Sequence, residues 1–351
     1  MIIYWILFAL PGIFYVTERR FSASVNQMFW VATAAVFAFF IGFRHEVGCD
    51  WYGYYSTYEA LASYTYSELF TSSGLISRGL AFYVLSHITS QTSFGFYGFN
   101  FVCGILLCWG LFYFCSRQPY PWLACLIAVP YLVIVVSMGY VRQSIAIGFL
   151  FFALNQLAQE RHWRYSMLIV SGALFHTSLA LLFPLVLISL YKKNRSFFVI
   201  VLVLILFPSI YAFNMYGDIW SIYFSSDLSK YVSKGALPRA LLNAIPAVIL
   251  LFISFQRRLI ICEPVWLVFA VLSILSVVIV QTGASGFDRL ALYLLPIQLY
   301  AWPKIIELVN VPILKRLIAC FVIMLYGGYE YIWLNFSDHA SCWIPYVSIL
   351  F

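Results

Sequence analysis

MFWVATAAVFAFFIGFRHEVGCDWYGYY, residues 28–55, joins an apolar run to a dense patch of ionisable chemistry. Arg44, His45, Glu46 and Asp50 fall within seven positions, in a chain whose Asp, Glu, Lys and Arg make up only 9% of 351 residues. The run before them approaches the roughly 17–25 residues with which a helix crosses a bilayer core. An apolar segment ending on clustered charge reads as a helix leaving the membrane.

The rest of the chain repeats that pattern. It is 64% hydrophobic, against roughly 45–50% apolar content in soluble domains. Runs of near-spanning length recur at 2–17, 28–43, 96–115, 121–138, 142–158, 197–213, 239–255, 264–281, 289–306 and 317–334. The prediction is an all-α, polytopic membrane helical bundle of about ten full spans plus a broken-helix hairpin. Residues 1–351 form a single integral membrane domain, because no hydrophilic stretch is long enough to fold alone. The start, MIIYWILFALPGIFYVTERR, lacks a basic n-region and a small-residue cleavage site, so it reads as a retained first helix. The absence of an internal repeat disfavours repeat-built transporter folds.

Clusters of Lys and Arg set the expected orientation. Arg19-Arg20, Arg161 to Arg164, Lys192 to Arg195, Arg257-Arg258 and Lys315-Arg316 all belong on the cytoplasmic side. Residues 165–190 then have basic clusters on both flanks, and as one helix would run roughly 39 Å, too long for a core of about 30 Å. Two short helices turning near Phe175-His176-Thr177-Ser178 resolve both conflicts, with His176 at the floor of an outward cavity, where non-helical backbone is allowed. The same map makes 44–95 a periplasmic, interfacial segment: 58–70 is an amphipathic surface helix, and 80–88 is interfacial or re-entrant. It also makes 214–238 a periplasmic loop. Cys49 and Cys342 both fall outside, where an oxidising compartment lets them pair if the fold brings them together. The net charge of +7 comes from the inner clusters and implies no nucleic-acid partner.

Outward basic residues are mostly single arginines: Arg44, Arg78, Arg142, Arg239 and Arg289. Snorkelling or a local ion pair would explain each. The functional alternative is an anion held at the outer face, since a guanidinium binds phosphate bidentately and stays charged. Arg142 and Gln143 open an apolar helix whose N-terminus already favours anions. Arg289 follows Asp288, so an Asp–Arg pair capping a helix competes with an anion role, and Tyr293 lies one turn further on. His176 is the lone intramembrane histidine. Arg44, Glu46 and Asp50 read either as a network fixing the loop or as an anion site with a carboxylate that deprotonates a hydroxyl. Gly48 and Gly53 bracket Asp50 and predict a turn there. Tyr54 and its aromatic neighbours suit an interfacial belt or a sugar platform. No residues have metal-ligand spacing, and neither a phosphate loop nor a GxSxG elbow is present. No cofactor is therefore expected.

Four pieces in order, Arg44–Gly48–Asp50–Trp51–Tyr54, VRQSIA at 141–146, LFHTS at 174–178 and Asp288-Arg289 with Tyr293, resemble the EpsG-like branch of the Wzy-type polysaccharide polymerases. Cys49 departs from the small or hydroxyl residue expected between Gly48 and Asp50. Arg78 stands where Glu is commoner, so no site is carried over there. The resemblance implies a metal-independent inner-membrane glycosyltransferase with its site facing the periplasm. Donor and acceptor would be lipid-linked oligosaccharides on undecaprenyl pyrophosphate, built into O-antigen or exopolysaccharide, with a separate chain-length regulator as a partner. Arg142 and Arg289 would stabilise the leaving pyrophosphate, and Asp50 or His176 would deprotonate the acceptor. Arg44, Glu46, Gln143, Tyr54 and Tyr293 would bind substrate. An O-antigen ligase-like transferase and a flippase of lipid-linked glycan are the alternatives. The first usually has a large late loop, and the second needs cations along a through-path.

Overall fold

The computed structural model describes residues 1–17, 21–71, 73–193, 235–256, 263–282 and 285–350, with no strand among them beyond one isolated bridge between Arg44 and Ser348. The expected span 197–213, most of the loop 214–238, and the pairs Arg19-Arg20 and Arg257-Arg258 lie outside the described residues.

Six helices among the described residues are long and apolar enough to cross a membrane: α2 (Ala23–Gly42), α6 (Gly95–Cys115), α7 (Pro121–Gly139), α8 (Val141–Ala158), α11 (Ala236–Gln256) and α15 (Pro312–Phe336). Among the described residues these six stand against the expected count of about ten for the whole chain. Helix α1 (Ile2–Thr17) and helix α12 (Pro264–Ile279) have 16 residues each. The expected span 289–306 is interrupted: α13 (Ser285–Ala291) gives way to a 3-10 turn, Leu292–Leu294, before α14 (Pro296–Leu308). Pro296 accounts for the break, since it has no N–H to continue a helical ladder but suits the first turn of the next helix.

Helix α7 is enclosed by protein along its whole length. Helices α1, α6, α14 and α15 pack on it. Its middle, Val129–Val136, is wound as a π-helix, and Pro130 at the start of that stretch supplies the missing donor that loosens the winding. Helix α6 packs between α2 and α8. Gly110 meets Gly148 there so closely that an added Cβ would strike backbone, the small-residue contact that lets membrane helices approach.

The expected helix break is present. Helix α9 (His162–Ala173) ends short of His176, a 3-10 turn covers Thr177–Leu182, and α10 (Leu185–Lys193) follows. The chain doubles back, because the Tyr165 hydroxyl donates to Leu182 O at 2.5 Å and Leu179 packs over Gly172.

The segment 44–95 folds differently from expectation in two respects. Helix α3 (Trp51–Ala62) begins directly after Asp50 and contains Gly53, so the turn is confined to 44–50. The expected surface helix 58–70 is instead the end of α3 followed by α4 (Tyr66–Thr71). Thr65 and Glu68 explain the restart. Glu68 Oε2 accepts from Thr65 N at 2.7 Å and Thr65 Oγ1 accepts from Glu68 N at 3.3 Å, a reciprocal cap. Those donors also hold the Glu68 carboxyl below its ordinary pKa. Residues 80–88 belong to α5 (Ser73–Ser90), which kinks at Gly79.

The tail after α15 folds back over the 43–49 turn. His45 N donates to Val347 O at 2.9 Å, Ile349 N to Phe43 O at 3.1 Å and Gly48 N to Cys342 O at 2.8 Å. Cys49 and Cys342 form a disulfide across 293 positions of sequence.

Candidate active site

A cavity of about 290 Å³ opens where α3, α5, α8, the 174–178 break and α13 converge. Asp50, Gly53, Tyr54, Thr57, Phe82, Tyr83, Tyr140, Arg142, Gln143, His176 and Arg289 line it. Six of the nine residues singled out in the sequence are thus brought to one space. Tyr293 sits directly behind, its hydroxyl 3.0 Å from His176 Nδ1.

Two left-handed glycines put these groups in place. Gly48 (φ 101) lies against Met138 O, and Gly79 (φ 119) lies against Phe175 O; a Cβ at either would collide with that carbonyl. The first docks the Asp50 turn onto the end of α7, just ahead of Tyr140 and Arg142. The second docks α5 onto the helix break beside His176, where Ala81 N also donates to Leu174 O at 2.8 Å. Only glycine adopts such backbone at no steric cost.

Arg142 sits at the first turn of α8. Its Nη1 donates to the Tyr83 hydroxyl at 2.9 Å, and its Cζ lies 5.9 and 6.0 Å from the Phe82 and Tyr83 ring centres. Stacked and hydrogen-bonded, the guanidinium is aimed and keeps its remaining donors. Half-buried Tyr54 stands beside it; burial lifts its phenol above the usual pKa, and Arg142 acts in the opposite sense.

Arg289 is exposed to the cavity, with Cζ 5.8 Å from the Tyr140 ring centre. Its backbone is held from two sides. Gln143 Nε2 donates to Arg289 O at 2.6 Å. On the other side, Arg239 of α11 forks onto Asp288, Nε to Oδ1 at 3.0 Å and Nη2 to Oδ2 at 2.5 Å. Asp288 therefore pairs with Arg239, 49 positions away, where the sequence offered a local pair with Arg289 as one of two readings. Deeper in, Tyr326 donates to Gln298 Oε1 at 2.7 Å, Gln298 Nε2 to Asn243 Oδ1 at 2.5 Å, and Asn243 Nδ2 reaches Ala291 O at 3.5 Å. Such links average about 0.6 kcal/mol each in membrane helices, so they position this segment more than they stabilise it.

His176 caps the 3-10 turn in extended conformation. Its Nδ1 is 2.7 Å from Ser178 Oγ, and Ser178 Oγ is 3.0 Å from the Tyr293 hydroxyl. Asp50 is exposed, and its side chain makes no capping bond to α3.

Arg44 and Glu46 do not line this cavity. Arg44 is fully buried. Its guanidinium donates to Val47 O at 3.1 Å, to Met138 O at 3.2 Å and to Ile41 O. The expected anion ligand is thus spent on main-chain carbonyls, where it joins the turn to α7. Glu46, at φ 55, is exposed and lies 3.7 Å from His45 Nε2. Gln143, expected to bind substrate, lines the cavity while its amide is committed to Arg289.

Sequence reasoning missed Phe82, Tyr83, Tyr140 and Thr57 as cavity residues, and Arg239 as the partner of Asp288. Tyr140 adjoins the VRQ motif and could have been included on that ground. Among the described residues no group of three or more His, Cys, Asp or Glu side chains is arranged to hold a metal ion.

The cavity therefore offers two guanidinium groups, three phenols, an imidazole and an uncommitted carboxylate within one small space. That set suits binding a diphosphate-like anion next to a hydroxyl that must lose a proton. No curated protein and no solved structure matches the chain. A family model matches residues 27–348, and the chain belongs to the EpsG family.

Proposed function

We propose that this protein polymerises oligosaccharide repeat units carried on undecaprenyl pyrophosphate, at the periplasmic face of the inner membrane. Membership of the EpsG family suggests a polysaccharide-polymerase type of activity. The observation that carries the finer reading is the convergence of Arg142 and Arg289 with Asp50 and His176 on one cavity.

Charge develops on the diphosphate as the glycosidic bond breaks, and two guanidinium groups in a partly dewatered space offset it more strongly than they would in water. Tyr83, Phe82 and Tyr140 orient those groups. The acceptor hydroxyl attacks the anomeric carbon and gives its proton to Asp50 or His176.

Two observations support the sidedness. Arg142 opens α8, and eighteen residues rising 1.5 Å each put about 27 Å between the cavity and the Arg161–Arg164 cluster. The cavity end thus lies opposite a positive-inside signal. The Cys49–Cys342 disulfide beside Asp50 fits an oxidising compartment.

The test is the surface glycan of the native host with this gene deleted. A ladder collapsed to core plus one repeat unit supports a polymerase. Loss of all repeat units from the surface replaces it with ligation or export.

A further inference from the structure

Which group takes the acceptor's proton follows from counting hydrogens around His176. Three polar atoms form a closed triangle: His176 Nδ1 to Ser178 Oγ at 2.7 Å, Ser178 Oγ to Tyr293 Oη at 3.0 Å, and Tyr293 Oη to His176 Nδ1 at 3.0 Å. Ser178 and Tyr293 each bring one hydroxyl proton that needs an acceptor. The Gln143 amide nitrogen beside them is already donating to Arg289 O at 2.6 Å. If Nδ1 carried a proton it could not accept, so the triangle would hold three protons with only the two oxygens to receive them from one another, and one hydroxyl proton, that of Ser178 or of Tyr293, would have to leave the triangle. If Nδ1 is bare, Tyr293 donates to Ser178, Ser178 donates to Nδ1, and every proton is placed. A neutral imidazole with a bare Nδ1 carries its hydrogen on Nε2. Among the described residues no hydrogen bond involves Nε2, on a side chain that lines the cavity. The guanidinium groups of Arg142 and Arg289 line the same cavity and disfavour a third positive charge there.

We propose that His176 serves as a neutral Nε2–H donor to the leaving diphosphate, held in that tautomer by Ser178 and Tyr293 as positioning residues, and that Asp50 alone takes the acceptor's proton. This rests on the polymerase reading above. The acceptor oxygen forms its bond to the anomeric carbon, and the bond from that carbon to the diphosphate oxygen breaks. The electron pair leaves with the diphosphate, and the hydroxyl proton passes to the Asp50 carboxylate. Asp50 suits that part because its side chain makes no hydrogen bond or ion pair among the described residues and sits exposed at the cavity wall.

The experiment complements the deleted host with variants and reads the surface ladder, made from the host's own lipid-linked repeat unit, against membrane abundance. Gln in place of His keeps an N–H near the Nε2 position but cannot act as a base. His176→Gln is expected to stay within about tenfold of wild type, while His176→Ala loses about 100-fold or more, the usual cost of a lost oxyanion donor. Asp50→Asn is expected to lose about 100-fold or more, as removal of a general base does. Equal loss in His176→Gln and His176→Ala, or an Asp50→Asn variant within about tenfold of wild type, overturns the assignment.

Should His176→Gln fail to insert, the hydroxyl series decides. Ser178→Ala and Tyr293→Phe each leave one donor for Nδ1 and should cost a few-fold, whereas the double variant frees the tautomer and should cost far more than their product. Singles as damaging as the double overturn the proposal. A deletion that leaves the ladder intact removes the polymerase reading itself, and this inference with it.

Discussion

The Arg239–Asp288 fork makes the strongest energetic prediction, because it links two helices across 49 positions of sequence. Both side chains are largely withdrawn from solvent, at 16% and 13% exposure, and the contacts are 2.5 and 3.0 Å. Arg239 also lies 5.6 Å above the Tyr131 ring centre. Removing one partner leaves the other charge buried without it, a change that costs about 3–5 kcal/mol. Replacing both by apolar groups of similar size leaves no orphan and is often close to neutral. Arg239→Met and Asp288→Leu are therefore each expected to cost about 3 kcal/mol, and the double variant about 1 kcal/mol or less. Thermal unfolding of the detergent-solubilised protein reads this directly. At about 2–4 °C per kcal/mol, each single should lower Tm by about 6–12 °C and the double by far less. Polymer formation should follow the same order, because Asp288 immediately precedes Arg289. A double variant whose Tm loss equals the sum of the singles would refute the reasoning, since additivity means that the two side chains do not share their energy.

Further perturbations test other parts of the site. Gly48→Ala and Gly79→Ala each force a Cβ into a carbonyl and a left-handed backbone, at a cost of about 1–3 kcal/mol from strain alone; membrane abundance and ladder length should both fall, and normal levels of both would contradict the docking role. Arg142→Lys keeps a charge but loses the planar fork that Tyr83 and the ring faces aim, so polymer yield should drop by about tenfold or more; an unchanged ladder would sink the bidentate argument. Glu330 in α15 is 1% exposed and neither carboxyl oxygen has a hydrogen-bond partner; Glu330→Met should raise Tm, by about 1–3 kcal/mol equivalent, and a lower Tm would show that the carboxyl has a use there. Peptide mapping of the oxidised, alkylated protein should recover Cys49 linked to Cys342, and free thiols at both would remove the tail's covalent hold on the Asp50 turn.

What sequence made legible was chemistry placed by local rules. The conflict between flanking basic clusters and helix length located the break near 175–178, and the structure ends α9 at Ala173 and starts a 3-10 turn at Thr177. Charge at the end of an apolar run located Arg142, Gln143 and Arg289, all of which reach the cavity. Both groups depend on neighbours within a turn or two, which hydropathy and charge patterns record. Arg44 obeyed the same rule and went elsewhere. A positive charge beside a turn is equally served by phosphate and by three inward carbonyls, and only the packing of 138 against 44 distinguishes them. The partner of Asp288 was hidden for a related reason: Arg239 is 49 residues away, and helix periodicity says nothing across that separation. The span count is less legible, since among the described residues two helices have only 16 residues and a third segment is broken at a proline, which hydropathy alone does not distinguish from full spans.

Arg44, which takes the loop-fixing role of the two read from the sequence, clarifies how the site is built. It donates to Met138 O, the same carbonyl against which Gly48 packs, so one carbonyl at the end of α7 anchors the turn that presents Asp50. Cys49 and the Gly48 N–H then tie that turn to the tail. On the opposite wall, Gln143 and Arg239 hold the backbone around Arg289. The groups with free chemistry are thus carried by turns and helix ends, and the polar residues next to them are spent on main-chain carbonyls or, for Arg239, on the Asp288 carboxylate. On the proposed reading, in which two bulky lipid-linked glycans meet at the cavity, that division is needed, since exposed Asp50 and Arg289 gain accuracy only from neighbours that do not move with substrate. It also explains why motif residues a few positions apart take opposite roles: Arg44 holds the turn so that Asp50 can stay uncommitted.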